Sequence, residues 1–384
     1  MGVKAIIRLG MLVALSRLPI GNGRSRQKPE ETRNILLIRP DHLGDVLFTT
    51  PALRVLRLAF PQAKITYMVG EWSKEVIENN PNLDEILTCP FPWFTRQPKR
   101  SLIAPYLLLL REARRLRAYD FDLAINLRFD FWWGAMLAYY AAIPQRIGYN
   151  VEECRPFLSR AVPYVTGRHE VEQNRLLMRE CIGKEAGNVA EDETALEFVT
   201  TPDDEAFAES RLAPILRQRP LIAIHPGAGA AVKIWTGQGF AQVADTLAQR
   251  HGARVILTGS TTEQNLTREI ADRMNNSALV ITDASLGQLA AVFRRCDLAI
   301  GVDSGAMHLA VAMGTPSVHL YGPVSDSSFG PWGDSAKHVV VKSDLPCIPC
   351  NRLDYEPREL DEHLCVKAIP PEQVLAAAEK VLAK

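Results

Sequence analysis

Short apolar runs alternate with amphipathic stretches along most of this chain, and the alternation falls into two series. The first opens at "NILLIRP" (34–40), a strand ending at Pro40. A helix follows through "GDVLFTTPALRVLRLAF", then strands at "KITYMVG" and "FDLAINLRF". The second opens at "LIAIHPG" (221–227), a strand running into a glycine turn. "FAQVADTLAQRHG" is an amphipathic helix closed by Gly252. Strands at "ARVILTGS", "ALVIT", "DLAIGV" and "PSVHLYG" then alternate with helices at "EQNLTREIADRM", "LGQLAAVFRRC" and "GAMHLAVAMG". Apolar strands separated by helical patterns predict parallel βαβ units covered on both faces.

The pattern therefore predicts two doubly wound α/β domains in tandem. We divide the chain into a basic extension (1–33), a first domain (34–199), a connecting segment (200–220), a second domain (221–368) and a terminal helix (369–384). The connecting segment, "TTPDDEAFAESRLAPILRQRP", has a polar start, a helical middle and a proline stop.

Composition changes this picture little. The chain has 384 residues, and Lys+Arg and Asp+Glu each total 44, so no global field favours nucleic acid. The seven cysteines are scattered and odd in number, which suits the reducing cytoplasm better than a disulfide scaffold. Local charge is more informative. Residues 1–33 carry Lys4, Arg8, Arg17, Arg24, Arg26, Lys28 and Arg33 against Glu30 and Glu31. Arg8 interrupts the apolar run, which argues against a signal peptide and against a bilayer span. Two readings stay open: a basic helix resting on an anionic membrane surface, or a frayed, solvated extension.

Candidate chemistry gathers at the strand ends of the second series. In "GVDSGAMHLAVAMGTPSVHLYGP" (301–323), a polar break separates a strand from a helix. A helix starting near Ser304 points free amides outward, and Gly305 lets a phosphate approach them. Asp303 either caps that helix or accepts hydrogen bonds from sugar hydroxyls. "HPGAGAAVKIW" (225–235) offers Gly227, Gly229 and Lys233, a mobile positive charge. "LTGSTTEQ" (257–264) offers Gly259, Ser260 and Glu263, whose carboxylate suits a ribose. Ligands of open parallel sheets bind beyond the carboxyl ends of the strands, so these stretches predict a nucleotide-diphosphate crevice. Neither domain opening carries the GxGxxG fingerprint, which disfavours a dehydrogenase.

"ILLIRPDHLGDVLFTTPALRVLRLAFPQAKITYMVG" resembles the opening of glycosyltransferase family 9, the ADP-heptose:lipopolysaccharide heptosyltransferases. "HPGAGAAVKIW", "TGSTTEQNLTREIA" and "GVDSGAMHLAVAMGTPSVHLYGP" resemble that family's donor-domain motifs in the same order. The resemblance implies the GT-B architecture, two Rossmann-like domains facing a central cleft. It implies inverting transfer of a sugar, ADP-heptose being the expected donor, to a lipopolysaccharide-core or other envelope glycan. It makes Asp45 the general base, with a helix cap as the alternative. Lys233 would touch the donor phosphates, Glu263 the ribose and Asp303 the phosphates or sugar. The amides of Ser304, Gly305 and Ala306 would complete the clamp, and His308 is a further donor-side candidate. No cofactor is expected beyond the nucleotide-sugar substrate.

On the acceptor side, "RQPKRSLIAPYLLLLREARRLRAY" (96–119) sets seven basic residues against Glu112. It is read either as a solvated helix face or as attraction to an anionic glycolipid and the inner leaflet. Arg128, at the end of a strand, is a candidate for an acceptor phosphate. The expected location is cytoplasmic, peripheral on the inner face of the membrane. In the tail, Cys347, Cys350, His363 and Cys365 are a weak zinc-ligand set, and free thiols packing a loop are the favoured reading. Two rival functions are a nucleotide-sugar epimerase of the same architecture and a non-catalytic nucleotide-sugar-binding protein.

Overall fold

The apolar run at residues 35–38 is wholly buried, as a central strand of a sheet covered on both faces must be. The computed structural model describes residues 3–18, 32–95, 101–183 and 194–384. It separates into two units, residues 1–74 with 80–193, and residues 75–79 with 194–384.

The first domain contains α1 (Val3–Ser16), β1 (Asn34–Arg39), α2 (Leu43–Leu47), α3 (Thr50–Ala59), β2 (Lys64–Val69), β3 (Glu85–Thr88) and α4 (Ala104–Arg117). It continues with β4 (Leu123–Asn126), α5 (Trp132–Tyr140), β5 (Gln145–Tyr149), β6 (Arg160–Val162) and α6 (Glu170–Ile182). Its strands lie in the order β3-β2-β1-β4-β5-β6, all parallel. The winding direction reverses between β1 and β4, the place where open α/β sheets take their ligands.

The second domain contains α7 (Pro202–Leu212), β7 (Leu221–His225), α8 (Gly237–His251), β8 (Arg254–Thr258), α9 (Gln264–Arg273), β9 (Leu279–Ile281) and α10 (Leu286–Arg294). Then come β10 (Leu298–Val302), α11 (Gly305–Ala312), β11 (Ser317–Tyr321), α12 (Asp326–Phe329), β12 (His338–Lys342) and α13 (Pro371–Leu382). The strand order is β12-β11-β10-β7-β8-β9, again all parallel, with the reversal between β7 and β10.

The same device starts the central strand of each sheet. Asp122, just before β4, accepts the backbone N–H groups of Arg33 and Asn34 at 2.8 and 2.9 Å. Asp297, just before β10, accepts that of Leu221 at 2.7 Å. A carboxylate taking backbone N–H groups makes a strong, charge-assisted bond, and here it fixes the register of β1 and β7.

Three sequence-based expectations change. The amino-terminal stretch is no frayed extension over residues 7–16: Leu12 enters the first domain's core. The hydroxyls of Tyr139 and Tyr140 donate to the carbonyls of Ser16 and Leu15 at 2.5 and 3.0 Å. Arg24, Arg26, Lys28, Arg96, Lys99 and Arg100 lie outside the described residues. The 200–220 segment is not a separate connector, since α7 buries Ala208 and Leu212 in the second domain, which begins at Thr194. Nor is the 369–384 helix an appendage: Val374 and Ala378 of α13 lie in that domain's core, and Trp235 Nε1 donates to the carbonyl of Ile369 at 3.0 Å. The strands β3, β5, β6 and β12 escaped the pattern because they lie at or next to a sheet edge. There only part of each strand is buried and the apolar run is short.

At the reversal of the second sheet, Gly301 of β10 faces His225 of β7. A Cβ at 301 would lie 2.5 Å from the His225 carbonyl oxygen and 2.7 Å from Met307 Sδ. Backbone cannot yield as a side chain does. Gly301→Ala is therefore expected to destabilise the protein by about 1–3 kcal/mol, measured by urea unfolding. An unchanged midpoint would mean that β7, β10 and α11 are spaced more loosely than described.

Candidate active site

β1 ends in Arg39, a guanidinium on a buried strand. It must find its partners inside the protein, because an unpaired buried charge is strongly destabilising. It finds them on three elements. Nη1 donates to the carbonyl of Leu127, just past β4, at 2.8 Å. Nη2 donates to Glu170 Oε2 of α6 at 3.2 Å, and Nε lies 2.6 Å from Asp41 Oδ2. Asp45, in the first turn of α2, is farther, with Oδ1 3.6 Å from Arg39 Nη2.

Asp45 does not cap that helix, whose N-cap residue is His42. Its side chain keeps 32% exposure, whereas those of Asp41 and Glu170 keep 3% and 5%. Burial, and then the neighbouring Asp41 carboxylate, push the Asp45 carboxyl up to about 7, against the opposing pull of Arg39 and Arg128. A carboxyl near neutrality that still reaches solvent is suited to taking a proton from a substrate.

Arg128 was expected to meet an acceptor phosphate. Instead its Nη1 donates to Asp41 Oδ1 and its Nε to Asp130 Oδ1 at 2.7 Å, with the guanidinium 5.1 Å from the centre of the Phe94 ring. It braces Asp41, and its charge also pulls on Asp45 directly.

In the second domain, Lys233 follows β7 and Asp303 follows β10, one on each side of the reversal. Lys233 Nζ lies 2.6 Å from Asp303 Oδ2, so this lysine is fixed rather than mobile. His308 Nε2 lies 3.8 Å from Asp303 Oδ1. Burial disfavours the Asp303 anion, but the nearby His308 imidazole and the Lys233 charge outweigh it and hold the carboxyl down at about 2. The cap of α11 is Ser304, whose hydroxyl accepts the N–H of Met307 at 3.4 Å. Asp303 is thereby left to hold Lys233, just before the helix whose first amides, at Gly305 and Ala306, have no partner within it.

Glu263 belongs to an adjoining group. Its Oε2 accepts the N–H and the hydroxyl of Ser260, both at 2.7 Å. A Cβ on Gly227 would lie 1.9 Å from Glu263 Oε1, so the turn after β7 passes directly over this carboxylate and a larger residue there would push the Glu263 side chain aside. Gly259 packs against the Glu263 stem, where a Cβ would lie 3.3 Å from its own. His225, at the end of β7, shares a 3.1 Å hydrogen bond with the Thr258 hydroxyl, and burial lowers its pKa against the pull of Glu263.

Below Asp303 runs a chain of neutral groups. The Ser317 hydroxyl lies 2.8 Å from both His319 Nε2 and His338 Nδ1. Burial holds His319 well below the usual imidazole range and brings His338 down to about 4.

Arg39, Asp41, Glu170, His225 and His319 were not singled out from the sequence. Arg39 and Asp41 carried a signal, a charge inside an apolar strand with an acid two residues on. Glu170 carried none, being 131 residues away from Arg39. In the tail, Cys347 and Cys350 are exposed thiols and Cys365 is buried. His363 packs its ring on Tyr355 at 3.8 Å. Among the described residues, no three His, Cys, Asp or Glu side chains are placed to hold a metal ion.

A family model for glycosyltransferase family 9 (heptosyltransferase) matches residues 109–356. The chain is 26% identical over 366 residues to lipopolysaccharide heptosyltransferase 1 of Pseudomonas aeruginosa, covering 91% of this chain and 98% of that protein. Among solved structures it is similar to a family 9 glycosyl transferase from Veillonella parvula, with a TM-score of 0.75, 27% identity, and 94% and 99% of the two chains covered. It is also similar in fold to the ADP-heptose lps heptosyltransferase II of E. coli, with a TM-score of 0.71, 22% identity, and 91% and 98% covered.

The low pKa of Asp303 sets a stability signature. A depressed carboxyl stabilises the fold above its unfolded pKa, and that contribution is lost as pH falls through the folded value. Asp303→Asn is therefore expected to lower stability at pH 7 by about 2 kcal/mol, given a folded value of about 2. The gap to the parent should shrink to about half near pH 3. Denaturant titrations at several pH values measure it, and a gap independent of pH would show that Asp303 is not held ionised by Lys233 and His308.

Proposed function

Because this chain belongs to glycosyltransferase family 9, the heptosyltransferases, it is a glycosyltransferase, and we propose that it moves a heptose from ADP-heptose to a lipopolysaccharide-core acceptor with Asp45 as general base. The observation that carries the proposal is the Asp45 carboxyl, raised to about 7 and open to solvent at the reversal point of the first sheet. The relatives' names supply the substrates: one acts on lipopolysaccharide in P. aeruginosa and another takes ADP-heptose in E. coli. The nucleotide sugar is a substrate in this reading, and the odd, scattered cysteines of the sequence are consistent with a reducing cytoplasm.

The chemistry is a single displacement. The acceptor hydroxyl oxygen forms a bond to the anomeric carbon as the bond from that carbon to the diphosphate oxygen breaks. The hydroxyl proton passes to an Asp45 carboxylate oxygen, and ADP departs carrying the electron pair. Inversion follows from attack on the face opposite the leaving group.

The second domain serves the departing ADP. Lys233 spends one of its three N–H donors on Asp303 and keeps two for phosphate oxygens. The amides at the start of α11 add donors already aimed, and donors held in place before reaction stabilise developing charge without reorganising. Glu263, beside the glycine turns, accepts from ribose hydroxyls.

Asp45→Asn is expected to lower kcat by about 10²–10⁴-fold while ADP affinity, read by calorimetry, stays at the parent value. Turnover in that variant equal to the parent's would remove Asp45 from the reaction. The base acts ionised, so kcat/KM of the parent should rise with pH along a limb near 7 that Asp45→Asn lacks. Lys233→Ala should weaken ADP binding by about tenfold or more, as expected for losing a charged hydrogen bond. Donor incubated without acceptor should come back with its sugar configuration unchanged, which separates a transferase from an epimerase.

A further inference from the structure

The first domain turns two apolar stripes toward solvent. On α1, Ile7 and Met11 are more than half exposed, as is Leu18 just beyond the helix, while Leu12 is buried on the opposite side. On α4, Ile103, Leu107 and Leu110 repeat the pattern, with Leu109 and Leu116 buried behind them. The spacings, i to i+4 and i to i+4 to i+7, keep each exposed set on one helical face. A surface helix in water normally shows polar residues on that face. With Leu102, these two segments supply seven of the thirteen large apolar side chains exposed among the described residues, so the exposure is concentrated, not scattered.

The two helices are fastened to the same support. Tyr140 of α5 donates its hydroxyl to the Leu15 carbonyl at 3.0 Å, and its own carbonyl accepts from Arg117 Nη2 at 2.8 Å. Leu12 of α1 and Leu109 of α4 enter one core cluster with Trp133. Beyond Leu110, α4 continues with Arg111, Arg114, Arg115 and Arg117. Its one acid, Glu112, is buried and paired with Arg111 and Arg115 at 3.1 and 3.2 Å.

We propose that this α1–α4 face docks on an anionic bilayer surface, its apolar side chains entering the headgroup boundary and its arginines meeting lipid phosphates. Apolar stripes flanked by guanidinium groups are the composition of a helix that lies in such an interface. Neither helix spans it. Each has 14 residues, about 21 Å of helix, against a hydrocarbon core of about 30 Å. A second copy of the chain fits poorly, because a two-fold contact sets this arginine row against its own counterpart or against the leucines. The proposal takes its purpose from the reading of a lipid-linked acceptor, but the binding itself does not depend on that reading.

The test is flotation of the full chain with phosphatidylcholine vesicles, with and without about one-third phosphatidylglycerol. The parent should bind the anionic vesicles about tenfold or more tightly than the neutral ones, and lose binding as salt rises. Leu107→Asp with Leu110→Asp should lower that binding about tenfold or more, and Arg114→Glu should lower it several-fold. All three positions are exposed, so thermal melting and ADP binding should match the parent, which separates a lost surface from a lost fold. Equal binding to both vesicle types, no binding, or parental binding by the leucine variant overturns the proposal. So does a concentration-dependent dimer in lipid-free buffer that the leucine variant abolishes. If vesicle binding fails while Asp45→Asn still stops transfer, the surface assignment falls and the transferase reading stands.

Discussion

The buried guanidinium of Arg39 is the constraint from which the first domain's chemistry follows. A charge on a covered strand must be surrounded by acids and carbonyls drawn from other elements. Asp41 comes from the loop after β1, Glu170 from α6 and the Leu127 carbonyl from the end of β4. These nearest partners surround the guanidinium. Asp45 arrives as a further acid, at 3.6 Å, where the attraction is already shared and the Asp41 carboxylate repels it. Its raised proton affinity comes first from burial and then from the Asp41 carboxylate, with Arg39 and Arg128 pulling the other way.

The second domain solves the opposite problem at the matching point of its sheet. Asp303 is more deeply buried than Asp45, yet its carboxyl is held far lower, because Lys233 and His308 both favour the anion. Two aspartates beyond central strands of two similar sheets therefore end in opposite states near neutrality. One can take up a proton; the other is a permanent anion that fixes a cation. Environment rather than residue type decides which is which.

That division explains what the sequence could reveal. The central strands β1, β7, β8 and β10 are buried along most of their length and read as mainly apolar runs. The edge strands are shorter or only partly buried, and of these β9 alone is legible from its run. At the site, the glycines and acids after β7, β8 and β10 were legible because strand ends are where such sheets bind ligands. The roles within each group were less so. Whether Asp303 or Ser304 caps α11 depends on where Lys233 comes to rest, and that depends on a turn Gly227 permits over Glu263. The share of Glu170 in tuning Asp45 depends on α6 folding back along the sheet, which no local pattern encodes. The outward leucines of α4 were not legible either: a helical pattern shows which residues share a face, not which face meets solvent.

The pairing of Lys233 with Asp303 also bears on turnover. A lysine free of any acid would bind the product diphosphate as readily as the donor, and uniform binding of that kind slows release without speeding the chemical step. An acid 2.6 Å away cancels much of the ammonium's charge toward a resting ligand. The remaining attraction grows as the leaving oxygen gains charge, when the bond to the sugar breaks. Neutral His319 and His338 beneath the pair add no further positive charge. The second domain thus holds a cation in place without building a strongly cationic pocket, and in the proposed transfer its attraction rises from the bound donor to the departing ADP.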